Sequence, residues 1–267
     1  MSGNYADINV SVDGHVATVE IDRPPHNFFD RYLISQIADA YAECDDDPEC
    51  RAIVLASNGK SFCAGANFGS GREERSGQEE FSEDGFRNTT GMLYREGVRL
   101  FSAKTPVVAA VQGAAIGGGF GLALSADFRV GAPEARFSAN FVKLGIHPGF
   151  GLTVTLPNLI GKQAANLMFL TGRRIKGEEA HSLGLIDQLV PLDEVRSAAG
   201  ALAAEIAENA PLAIGSVRAT VRHGLAEQIA RATDHELAEQ QWLRATEDAE
   251  EGIRAVAERR PGDFKGR

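Results

Sequence analysis

The chain has 267 residues, of which 43% are apolar and 24% charged, and a formal net charge of −10. That length builds one large domain or a domain with a helical appendage, and the composition is that of a soluble globular protein. The acidic balance excludes non-specific nucleic-acid binding, which needs a basic surface, but leaves room for a local basic pocket around a phosphorylated ligand.

Ile8-Asn9-Val10-Ser11-Val12 alternates, Asp13-Gly14 turns the chain, and Val16 to Ile21 alternates again, which predicts a β-hairpin. Arg23-Pro24-Pro25 ends the second strand, because proline cannot donate to a ladder. Asp30 is a candidate N-cap for a helix carrying Leu33, Ile34, Ile37, Ala38 and Tyr41 at helical spacing, closed by Asp45-Asp46-Asp47-Pro48. A buried strand follows from Arg51 to Ser57. The polar, glycine-bearing stretch from residue 69 to 85 is expected to be a loop entering a helix that ends near Ala103. The strand Val107 to Val111, a helix through Ala126 and the short strand Phe128-Arg129-Val130 come next. From Gly151 the pattern is mostly helical, broken by a strand-like Leu185 to Val190, and the last seventy residues are expected to be helical throughout, with amphipathic spacing in Ala199 to Ala207 and Leu225 to Leu243. Strands alternating with helices over the first two thirds predict an α/β fold with a largely parallel sheet, and the helical tail a separate layer.

Two glycine-rich turns each follow an apolar run. Ser61-Phe62-Cys63-Ala64-Gly65-Ala66-Asn67 comes after Ala52 to Ala56, and Gly113-Ala114-Ala115-Ile116-Gly117-Gly118-Gly119-Phe120-Gly121 after Val107 to Val111. Such turns can aim two backbone N–H groups, here those of Ala66 and Gly118, at one developing oxyanion, or they can simply allow tight strand-to-helix packing. Neither cluster supplies a phosphate-binding loop or a dinucleotide fingerprint. The six histidines are scattered without metal-ligand spacing, so no metal site is expected. Cys44, Cys50 and Cys63 give no disulfide framework; with no signal peptide and no long apolar run, the expectation is a cytoplasmic protein with no membrane contact.

The segment Phe62 to Asn67 resembles the Phe-x-Ala-Gly-Ala-Asp motif of the crotonase superfamily, the enoyl-CoA hydratase and isomerase family, and Ala110 to Gly119 resembles its second motif. The likeness continues through Ala126 to Val130, Phe137 to Gly149, Leu170 to Arg173, Ala180 to Val190 and Arg259 to Lys265, nearly the whole chain in order. The resemblance implies a crotonase-type ββα spiral over residues 1–200 with the coenzyme A (CoA) site and oxyanion hole, and a C-terminal helical trimerisation region over 201–267. It implies an enzyme acting on an acyl-CoA or enoyl-CoA substrate, assembled as a homotrimer or a hexamer of paired trimers, with no cofactor beyond the coenzyme A of the thioester. The N–H groups of Ala66 and Gly118 would receive the thioester oxygen. His26, Phe28, Ala64 and Ala66 would line the CoA site, with Phe264 and Lys265 meeting CoA, often from a neighbouring subunit; for Lys265 a solvated tail is the alternative.

The chain departs from the family at the two glutamates of the hydratase reaction. One lies three residues beyond the oxyanion glycine, here Gly121, and the other falls on Phe141. Neither residue can transfer a proton. His147 is a candidate proton carrier, since an imidazole of pKa about 6.5 suits that task, with a packed or surface histidine as the alternative. Glu79, Glu80, Glu83 and Asp84 are further candidates, although acid runs are usually solvated. Asn67 stands where the family commonly has aspartate, and Cys63 reads as a packed thiol. Phe68, Phe81, Phe86, Phe120, Phe141 and Phe150 supply either the lining of an acyl pocket or ordinary core. The expected chemistry is therefore enolate stabilisation followed by isomerisation, thioester hydrolysis, retro-aldol cleavage or atypical hydration, the alternative being a CoA-ester-binding homologue without hydratase activity.

Overall fold

The computed structural model describes residues 5–66 and 83–267, with side chains from residue 89 onward in the second stretch. The loop expected from residue 69, together with Asn67, Phe68, Glu79, Glu80 and Phe81, lies outside the described residues, as do the side chains of Glu83, Asp84 and Phe86.

Strands β1 (Ile8–Asp13) and β2 (Val16–Ile21) form the expected antiparallel hairpin, Ile8 facing Ile21 and Asp13 facing Val16. The chain then crosses over through α1 (Arg31–Asp46), whose first turn is closed by Asp30: its carboxylate accepts the Leu33 N–H at 2.9 Å. β3 (Ala52–Ser57) pairs parallel with β2, β5 (Val107–Val111) with β3, β7 (Phe128–Gly131) with β5 and β10 (Gln188–Leu189) with β7. This six-stranded sheet is covered on both faces, as a parallel sheet must be. Leu33, Ile34, Ile37 and Tyr41 of α1 share one core with Ile53 and Leu55. On the other face Ala199, Ala203 and Ala207 of α7 (Val195–Ala207) pack on Val54, Val108 and Val130. Leu33, Ile34 and Ile37 are fully buried, each worth roughly 1.5–3 kcal/mol of apolar transfer.

A second sheet was not expected from the sequence. β4 (Ser61–Cys63), β6 (Ala114–Ile116), β8 (Arg136–Ser138) and β9 (Arg174–Lys176) lie in that order, the first three parallel and β9 antiparallel to β8. The chain thus runs β3, β4, then α2 (Glu83–Ser102); β5, β6, then α3 (Gly118–Ser125); β7, β8. Each of β3, β5 and β7 in the large sheet is followed by a strand of the small one, which is a ββα repeat.

The helical remainder comprises α4 (Leu152–Ile160), α5 (Lys162–Thr171), α6 (Gly177–Ser182), α8 (Pro211–Val221), α9 (Leu225–Leu243) and α10 (Glu247–Ala257). Residue 200, where a division was expected, lies within α7, which packs on β3 and β5. Two boundaries differ from expectation. The strand expected over Leu185 to Val190 is ordered as a ladder only at Gln188–Leu189, because Leu185 and Ile186 are buried as core side chains ahead of it. The final residues, 261–267, are not helical. Asp127 ties α8 to the large sheet: it accepts from Arg218 at 3.0 Å, Arg222 at 2.8 Å and the Val107 N–H at 2.8 Å. No helix among the described residues is long and apolar enough to cross a membrane.

Candidate active site

The two glycine turns leave from the same end of adjacent strands. β4 and β6 are parallel neighbours, with Ser61 beside Ala114 and Cys63 beside Ala115, so the segments beyond their C-terminal ends emerge side by side. That is where parallel sheets open their ligand crevices. Gly65 has φ +81°, and a Cβ added there would lie 2.6 Å from the Ile116 oxygen and 3.7 Å from the Gly118 nitrogen. Only glycine permits both that backbone conformation and that approach.

Gly117 is the N-cap of α3; its own N–H donates to Ser138 O at 2.9 Å. The N–H groups of Phe120 and Gly121 both donate to Gly117 O. Gly118 and Gly119 therefore begin the helix with N–H groups that have no intrahelical acceptor, at the positive end of the helix dipole. The site is held from the opposite side by the segment after β2. Ala64 N donates to His26 O at 3.0 Å, and Phe29 N donates to Gly65 O at 3.1 Å. Between those bonds sits Asn27, fully buried, whose Nδ2 donates to Asn58 O at 2.7 Å and Ser61 O at 2.8 Å. Sequence reasoning missed Asn27, because its partners are backbone carbonyls more than thirty positions away.

The immediate surroundings of the helix start are aromatic. A Cβ added to Gly118 would lie 2.0 Å from Phe29 Cζ, so the ring of Phe29 fills the space that a side chain there would need. One turn on, a Cβ at Gly121 would lie 2.9 Å from the ring of Phe150. Phe141 and Asn140 come closest to Gly117. Behind Phe150, the buried Tyr94 donates to Gln240 Oε1 at 2.9 Å, and Gln240 Nε2 donates to His147 O at 2.8 Å. Burial pushes the Tyr94 hydroxyl well above its ordinary range. Burial likewise pushes the Cys63 thiol up to about 12, so it packs as a neutral apolar group beneath the first turn.

His26, Phe28, Ala64, Ala66 and Gly118 all line one cleft. His147 does not line it: the ring turns away, 5.9 Å from the ring of His235 on α9, and its Nδ1 lies 2.7 Å from Pro148 O. Its neighbours Leu144, Ile146, Gly149 and Phe150 do line the cleft. Phe264 and Lys265 also lie outside the cleft of their own chain. The tail folds back on α10, where Asp248 accepts the N–H groups of Lys265 and Gly266, and Lys265 Nζ pairs with Asp263 at 2.8 Å. Arg259 and Arg260, just before this tail, do border the cleft.

The cleft's ionisable groups divide clearly. Of its carboxylates among the described residues, Asp30 is engaged by Leu33 N and Arg23, while Glu134, Asp193 and Glu250 are exposed at the rim. Between Glu134 and Glu178 the chain carries no carboxylate side chain. Lys60, Arg136, Lys143 and Arg174 line the same cleft and have no side-chain acceptor among the described residues. No spacing in the sequence announces this group, which the topology gathers from β4, β8, β9 and the 3-10 turn at Asn140–Leu144.

The sequence pattern of the enoyl-CoA hydratase/isomerase family matches residues 11–267. Carnitinyl-CoA dehydratases of Salmonella paratyphi A and Salmonella typhi are 34% identical over 265 residues, covering 97% of this chain and 98% of theirs. Among solved structures, an enoyl-CoA hydratase/isomerase from Pseudoalteromonas atlantica superposes with a TM-score of 0.82 at 27% identity, over 97% of this chain and 100% of that one. An enoyl-CoA hydratase subunit from Geobacillus kaustophilus does so with a TM-score of 0.73 at 31% identity, over 99% and 100%.

Proposed function

This chain belongs to the enoyl-CoA hydratase/isomerase family, and from that premise we propose that it binds an acyl-CoA thioester with the thioester oxygen between the N–H groups of Ala66 and Gly118. The observation that carries the reading is the meeting of the two turns, with Gly118 N at 3.7 Å from a Cβ position on Gly65. In an apolar setting, each such donor is worth roughly 2.7–4 kcal/mol to a developing oxyanion. His26, Phe28 and Ala64 hold the CoA moiety along the cleft. Lys60, Arg136, Lys143 and Arg174, without a side-chain acceptor among the described residues, suit its phosphates, the lysines as point charges and the arginines as planar forks.

The product is not that of a two-glutamate hydratase. Gly121 and Phe141 stand at the positions that the family resemblance assigns to the acid and base, and the groups packed around Gly117, Gly118 and Gly121 are Phe29, Asn140, Phe141 and Phe150. The oxyanion held there is the dienolate of an isomerisation, the enolate released when a retro-aldol step breaks a C–C bond, or the tetrahedral adduct of water that expels the CoA thiolate in thioester hydrolysis. The same aromatic surroundings favour a second reading, a thioester-binding protein without turnover. A panel of CoA thioesters with mass-spectrometric product analysis separates the two. Losing one general acid–base group costs about 10²–10⁴-fold. Crotonyl-CoA hydration is therefore expected at least about 100-fold below that of an ordinary hydratase assayed alongside. Equal turnover contradicts the reading.

A further inference from the structure

We propose that Phe150 is the specificity-determining residue of the acyl pocket: its ring ends the pocket and restricts the enzyme to short-chain acyl-CoA thioesters. The proposal rests on the thioester reading above.

Phe150 is 2% exposed and has φ +62°, a conformation that a bulky residue rarely adopts and keeps only where its surroundings fix it. Its ring lies between two helices, and each helix has a glycine facing it. A Cβ added to Gly97 on α2 would lie 3.0 Å from the ring, and one on Gly121 of α3 would lie 2.9 Å from it. Any larger residue at either position would displace the ring. The ring in turn packs on Phe29, centroids 5.5 Å apart, and edge-on to Tyr94 at 6.3 Å. Because Phe29 covers Gly118, the contacts run without a break from the start of α3 to Phe150.

An acyl chain whose carbonyl sits at Gly118 runs over apolar ground formed by Leu93 and Ile146, and meets the cleft-facing edge of this ring. With the ring removed, neither Gly97 nor Gly121 has a side chain to refill the space. A slot then opens between α2 and α3. One methylene more or less in such a pocket discriminates about 10–200-fold.

The experiment is calorimetric titration of the intact protein with butyryl-CoA and with decanoyl-CoA, for the wild type, Phe150→Ala and the milder Phe150→Leu. The wild type is expected to prefer butyryl-CoA, and both variants to shift the ratio of the two affinities toward decanoyl-CoA, by roughly tenfold or more for Phe150→Ala. A ring that only supports the fold would weaken both thioesters alike and leave the ratio unchanged, which overturns the proposal while the thioester reading stands. Failure of the wild type to bind either thioester overturns both.

Discussion

Asn27 and Phe29 show how single residues build the site. Asn27 has φ +50° and accepts the Arg23 N–H at 3.0 Å while donating to Asn58 O and Ser61 O, so one side chain locks the segment that carries His26, Phe28 and Phe29. Removing it deletes three hydrogen bonds, one of them to Ser61 O, which Ser57 Oγ also reaches, and each is worth about 0.5–1.5 kcal/mol. Asn27→Ala is therefore expected to lower the urea-unfolding free energy by about 2 kcal/mol and to weaken CoA-thioester binding with it. A loss under about 0.5 kcal/mol would contradict the assignment. The turns that carry Ala64, Ala66 and Gly118 to the cleft were legible in the sequence because glycine-rich turns signal a close approach. Asn27, Phe29 and the four cations were not, because each acts through partners that only the topology brings near. The orientation of His147 was not legible either: its ring lies 5.9 Å from that of His235 on α9, a neighbour far away in sequence.

Among the elements, the large sheet was predictable and the small one was not. β3 and β5 are continuous apolar runs, but β4, β6, β8 and β9 have three residues each, too few to show a period of two, and two of them lie inside glycine-rich stretches that read as turns. A second long-range device joins α9 to α4. The N-cap of α4 is Gly151, which has no side chain to cap with, and the buried Glu236 of α9 takes that role. Its oxygens accept the Gly151 N–H at 2.8 Å, the Thr153 N–H at 3.2 Å and the Thr153 hydroxyl at 2.5 Å. Burial raises the Glu236 carboxyl above its ordinary range, against the opposing pull of the hydrogen bonds from Thr153 and Gly151. Above the unfolded carboxyl's pKa the folded state then holds this proton more tightly than the unfolded state does. Its contribution to stability is complete below the unfolded pKa and is lost as pH rises through the folded one. Glu236→Gln is expected to flatten that part of the stability–pH curve measured by chemical denaturation. A wild-type curve that climbs over the same interval, with an equal climb in the variant, would contradict the direction of the shift.

At the scale of the whole molecule, the ββα order explains why the site lies where it does. The passages from β3 to β4 and from β5 to β6 lay β4 and β6 side by side and parallel, so the turns that follow them converge. The family and its fold were legible in the motifs spread along the chain. The limits of the helical layer were not, since α7 completes the core of the large sheet and cannot be separated from it. The helix start at Gly118 is walled by Phe29 and Phe150, and the proposed function puts the chemistry on backbone N–H groups at that apolar wall. The thioester carbonyl itself reports whether they act. An isotope-edited infrared difference spectrum of butyryl-CoA, labelled at that carbonyl, is expected to show its stretch moving to lower wavenumber on binding. The shift should disappear in Gly118→Ala, where the new Cβ collides with Phe29. A bound carbonyl that absorbs at the same wavenumber as in buffer would contradict the oxyanion site.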